Sequence, residues 1–201
     1  MPEVVQLQDL SRTAEDEVTP ERIMFIRHAE KPAPDLGGGV DANGKADEES
    51  LAVRGWQRAG ALARFFCPAE GSHAAKLTPG SVFAPGTGPA SKSRRSMQTV
   101  APLVALLQET SAVNFVTAYL KDDGVALMKD VLAQSGVVLI AWEHKILPSL
   151  IAYLPHAPKV PASWPEDRFD LVWVLDRTAD GWIFTQLPQM LLAGDSTQPI
   201  E

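Results

Sequence analysis

Two hydrophobic rhythms alternate along the chain. Uninterrupted apolar runs at residues 23–26 (IMFI) and 137–142 (VVLIAW) have the pattern of strands covered on both faces. Residues 81–84 (SVFA) read as a further strand stopped by Pro85-Gly86, and residues 113–119 as another. Between these runs apolar positions return every three or four residues. Trp56, Ala59, Gly60, Ala63 and Phe66 mark one face of a helix that starts near Leu51 and ends near Cys67-Pro68. Met97, Val100, Ala101, Val104 and Leu107 or Leu106 mark a second, which begins among Ser91 to Ser93 and which Pro102 is expected to kink. Residues 125–132 read as a helix, and an apolar helix follows residue 145 through Ile151 and Leu154. Residues 171–175 and 182–184 flank Asp180-Gly181, which predicts a closing hairpin.

Strands alternating with helices predict an α/β fold: a three-layer α/β/α sandwich with a mostly parallel central sheet and an antiparallel strand at its edge. Ligands in such sheets bind outside the carboxyl ends of the strands. Groups that follow the apolar runs therefore share an address. Residues 32–49 lack periodicity and hold four glycines, two prolines and five acidic groups. A loop of that length after the first strand is either a candidate lid or a solvated, disordered excursion. Residues 41–44 (DANG) faintly match a calcium loop, but Lys45 and the early glycine break its spacing. Residues 1–20 are polar and end in Thr19-Pro20, the pattern of a loosely held lead-in to one domain spanning residues 1–201.

Composition narrows the partners. A formal charge of −7 and a pI near 5.1 disfavour nucleic acid and anionic membranes, so phosphate chemistry requires a local cluster of cations. The single cysteine, Cys67, makes no intramolecular disulfide, and the acidic opening resembles neither a signal nor a transit peptide. A cytoplasmic protein is expected. No Cys/His spacing suggests a metal, and no cofactor is implied.

Arg27-His28 follows the first apolar run and Glu143-His144 the strongest one. Two histidines so placed can face each other across a crevice. Residues 91–96 (SKSRRS) stand at a helix start, where free backbone N–H groups and the helix dipole favour an anion. Taken singly, each element has an ordinary explanation: a hydrogen-bonded histidine, a solvated arginine pair, a serine cap. Cationic groups at strand ends or helix starts in three separate segments make a dianionic phosphate site the stronger reading.

These motifs resemble the histidine phosphatase superfamily, the phosphoglycerate-mutase-like fold. FIRHAEKP (25–32) is similar to that family's Arg-His-Gly/Ala-Glu signature, and LAVRGWQRA (51–59) to its Leu-Thr-x-x-Gly-x-x-Gln-Ala helix start. SRRSMQT (93–99) resembles its Arg-Ala-x-Gln-Thr-Ala segment, and VVLIAWEHKILPSLI (137–151) the strand, histidine and helix carrying its second histidine. The likeness runs from about residue 22 to about residue 155 with the motifs in the family's order. It implies that His28 is a nucleophile forming a phosphohistidine, that Arg27, Arg95 and His144 bind the transferring phosphoryl group, and that no metal takes part. Gln98-Thr99 selects Arg95 over Arg94. The family supplies an acid for the leaving oxygen; Glu143 is the best candidate here and Glu30 a lesser one. Ala29 replaces the usual glycine, Lys145 replaces the glycine after the second histidine, and the stretch between Pro85 and Arg95 is longer than usual.

The expected function is a phosphatase acting on a small or medium phosphomonoester. A domain that binds a phosphorylated ligand without turnover is the alternative, and a mutase a weaker one, because no second arginine cluster accompanies the motifs. The acidity of residues 32–49 is expected to disfavour highly anionic substrates. Oligomeric state is not specified by the sequence.

Overall fold

The computed structural model describes residues 19–69, 76–89 and 91–201. The lead-in expected over residues 1–20 lies outside them as far as residue 18, and Pro20 is already part of the first strand.

Six strands form one sheet. In chain order the elements are β1 (Pro20–Arg27), α1 (Val53–Phe66), β2 (Ser81–Phe83), α2 (Arg95–Thr110), β3 (Asn114–Val116), α3 (Gly124–Leu132), β4 (Gly136–Trp142), α4 (Leu147–Ile151), β5 (Leu171–Thr178) and β6 (Gly181–Pro188). The sheet order is β3-β2-β4-β1-β5-β6. β3, β2, β4 and β1 run parallel, while β5 pairs antiparallel with both β1 and β6. The antiparallel edge is thus the expected hairpin.

Strand alternation divides the core into two layers. Ile23, Phe25, Val138, Ile140, Trp142, Trp173 and Leu175 face one side, against Leu127 and Val131 of α3 and Leu147 and Leu150 of α4. Met24, Ile26, Leu139, Ala141, Val172 and Val174 face the other, against Leu62 and Phe66 of α1 and Leu103 and Leu107 of α2. A run such as IMFI is apolar throughout because both faces are covered. Each fully buried Ile, Leu or Phe contributes about 1.5–3 kcal/mol of transfer free energy.

The helix faces differ from expectation in two places. In α1, Gly60 is exposed while Leu62 and Arg58 are buried. In α2, Ala101 is exposed and Leu103 is buried; Pro102 lies within a continuous helix. Alanine and glycine add little to a period, so their neighbours decided the face. α4 stops at Ile151 and reaches Leu154 through turns rather than helix, ahead of Pro155. Among the described residues no helix is long and apolar enough to cross a membrane.

Register fixes what emerges together. Arg27 is paired with Trp142 and Phe83 with Ile140, so β1, β4 and β2 end at neighbouring levels on one edge of the sheet.

Candidate active site

Because Arg27 pairs with Trp142, the residues that follow leave the sheet side by side, and the His28 amide donates to the Trp142 carbonyl at 3.2 Å. The rings of His28 and His144 lie 6.4 Å apart between centroids, inclined at 79°. Both histidines are buried. The His28 Nδ1 stands 2.7 Å from the Ala29 carbonyl oxygen. That oxygen only accepts, so Nδ1 carries the proton and the neutral ring keeps its lone pair on Nε2. Burial, reinforced by the Arg27 charge, lowers the His28 pKa to about 3. The ring is neutral at ordinary pH.

The turn after His28 is held from behind. The Ala29 amide donates to the Thr99 hydroxyl at 2.8 Å, and that hydroxyl donates to the Arg95 carbonyl at 2.7 Å. α1 approaches so closely that a side chain at Gly55 would collide with the Glu30 carbonyl oxygen. Glu30 is buried in an ionic network. Arg58 contacts it at 2.9 Å and Asp195 at 2.7 Å, and Arg54 meets Glu30 at 3.2 Å. Glu30 is therefore occupied in joining the turn to α1 and to the segment near Asp195. Burial works against the Arg58 charge, but hydrogen bonds to Asp195 and Glu30 outweigh it and hold the pKa above its ordinary value.

Arg27 reaches the other way. Its Nη1 donates to the carbonyls of Pro165, Glu166 and Arg168 at 3.0, 2.8 and 3.1 Å, and its guanidinium lies 3.8 Å over the Phe169 ring. Nε and Nη2 are buried without a protein partner, as are both ring nitrogens of His144. Burial lowers the Arg27 pKa to about 10, and burial together with Arg27 lowers that of His144 to about 4. Buried polar atoms are almost always paired, so these four orphans beside the two imidazoles stand out among the described residues.

His28 and His144 open onto a cavity of about 460 Å³ shared with Arg95, Glu143 and Lys145. Arg27 lies outside its lining. Arg94 is absent from the lining too; it is exposed, 3.9 Å from Asp47. Arg95 is also a clasp. It donates to the Ser50 carbonyl at 3.2 Å and to the Glu48 carbonyl, while Gln98 binds the Ser50 hydroxyl and the Leu51 amide at 2.7 and 2.9 Å. The end of the 32–49 segment is thereby pinned to the first turns of α2. Asp41 caps its own turn, accepting from the amides of Asn43 and Lys45 at 2.8 and 2.9 Å. Glu143 lies in the lining beside His144. A larger cavity of about 620 Å³ sits beside the β5–β6 turn and holds none of these groups.

Two contributors escaped the sequence reading. The segment 165–169 supplies the carbonyls and the ring that hold Arg27, yet WPEDRF has no periodicity or motif to mark it. Lys121 joins the cavity because the Trp142 indole donates to its carbonyl at 3.0 Å, a tertiary bond with no local sign.

No family model matches the chain, and no curated protein matches it. Solved structures do. Its structural neighbours include proteins described as phosphatases and a mutase. Phosphoglycerate mutase from Plasmodium falciparum aligns with a TM-score of 0.48 at 9% identity, covering 91% of this chain and 99% of that one. Phosphoserine phosphatase from Entamoeba histolytica gives 0.46 at 10% identity, covering 82% and 94%. The candidate phosphohistidine phosphatase SixA from Agrobacterium tumefaciens gives 0.46 at 16%, covering 84% and 97%.

Proposed function

We propose that the chain hydrolyses phosphomonoesters through a phosphohistidine on His28. The supporting observation is the fixed tautomer: an Nδ1–H committed to the Ala29 carbonyl leaves Nε2 as a neutral nucleophile beside His144. In this reading Nε2 attacks phosphorus, the ester P–O bond breaks, and the leaving oxygen takes a proton from Glu143. Water then attacks the phosphohistidine and gives its proton back to the Glu143 carboxylate; the N–P bond breaks, inorganic phosphate leaves and the imidazole is returned. The unpaired nitrogens of Arg27 and His144, with Arg95, would offset the charge on the transferring group. The four ordered sequence motifs support the same chemistry, and no metal is called for in it.

A chromogenic aryl phosphate tests the proposal. Wild type should turn it over, and His28→Ala should lose at least ~10³-fold in kcat/KM. Turnover that survives His28→Ala would overturn the nucleophile assignment. Absent turnover with a phosphate-dependent rise in Tm would instead favour a binding domain.

A further inference from the structure

The charge of the site cavity is not balanced by its own walls. Lys31, Lys92, Lys121, Lys145 and Arg95 line it, against the carboxylates of Glu49 and Glu143. Three of the cations are engaged: Lys145 with Glu166 at 3.3 Å, Lys121 with Asp122 at 2.8 Å, and Arg95 with the backbone clasp and Glu49 at 3.9 Å. Among the described residues Lys31 and Lys92 have no ion-pair partner. They come from different elements. Lys31 follows β1 on the side of His144 and Glu166, whereas Lys92 precedes α2 and also borders an adjoining cavity of about 400 Å³.

One phosphoryl group does not require this many cations. Arg27 and Arg95 already supply two positive charges, and His144 a ring N–H, enough for a dianion. Two further ammonium groups facing one cavity repel each other in a protein whose net charge is −7. A second anion on the ligand relieves that repulsion. From the acidic segment 32–49, Glu49 alone reaches the lining. The acidic side chains are spent elsewhere, as with Asp47 on Ser50 and Arg94.

We infer that the substrate is a phosphomonoester carrying a second anionic group, carboxylate or phosphate, away from the scissile phosphoryl, and that Lys31 and Lys92 receive it. The inference rests on the hydrolase reading above. Phenyl phosphate and 4-carboxyphenyl phosphate provide the test, since their leaving groups are similar in acidity and differ in the distal charge. At low salt the carboxylated ester should be preferred about tenfold in kcat/KM, the size of one charge-assisted contact. The K31Q/K92Q double variant should bring that ratio close to one, and added salt should erode it in wild type. Equal kcat/KM for the two esters, or a preference that the double variant keeps, would overturn the inference. If neither ester is turned over, the hydrolase reading fails on its own. The lysines are then judged by the ratio of the two Kd values from calorimetry, with the same tenfold expectation and the same overturning result.

Discussion

His28 has one ring nitrogen committed and the other free, and burial keeps it uncharged. That burial makes the histidines stability determinants as well as chemical groups. The His28 pKa is about 3 in the folded chain against an ordinary 6.5, so the unfolded chain takes up the proton first as pH falls. The stability contributed by the neutral ring is present above pH 6.5 and is lost between 6.5 and about 3, at up to ~1.4 kcal/mol per pH unit. His144, lowered to about 4, acts in the same direction. Thermal unfolding from pH 7 to pH 5 should therefore show a smaller fall in Tm for His28→Gln than for wild type. Identical pH slopes would mean that the ring is not buried as described. Arg27 makes a different demand, because removing it strands three carbonyls and uncovers the Phe169 ring. The histidine pair and Arg27 were visible in the sequence because strand ends in an α/β sheet converge. Their partners at 165–169 were not, since backbone carbonyl acceptors leave no residue-type signature.

At the scale of elements, three junctions hold the nucleophile turn: β1 on β4 by register, α1 by the close approach at Gly55, and α2 by the Thr99 hydroxyl. Gly55→Ala places a methyl group against the Glu30 carbonyl, forcing α1 away from the turn. We expect a loss of about 1–3 kcal/mol in denaturant unfolding and a matching fall in kcat on an aryl phosphate. Wild-type stability in this variant would contradict the packing described. The sequence showed β1 and β4 well, since both faces of these parallel strands are covered and the runs 23–26 and 137–142 are unbroken. It read the helix faces less well. Arg58 is buried at a position where a charge signals solvent, and only Glu30 and Asp195, distant in sequence, explain it.

Across the whole molecule, the Glu30–Arg58–Asp195 network joins the turn after β1 to the chain beyond β6, so the site and the last described segment share one ionic centre. With side chains only 2–3% exposed, the network has little water to replace a missing partner. Arg58→Ala should cost about 3–5 kcal/mol by leaving the Asp195 carboxylate buried without a cation and Glu30 with Arg54 alone. A change below about 0.5 kcal/mol in urea unfolding would show that the network is solvated. A molecule acidic overall presents a cationic cavity at one edge of its sheet, and total charge alone gave no sign of it. The lysines at 31, 92, 121 and 145 are scattered along the sequence, and the fold gathers them.

The central claim is a covalent intermediate on one nitrogen of one histidine. Rapid-quench mass spectrometry during turnover of an aryl phosphate, with ³¹P NMR to distinguish the two ring isomers, reads that claim directly. We expect an acid-labile phosphoryl group on Nε2 of His28, absent from His28→Ala. A phosphoryl group on His144 or on Nδ1, or steady turnover with no phosphoenzyme, would contradict it.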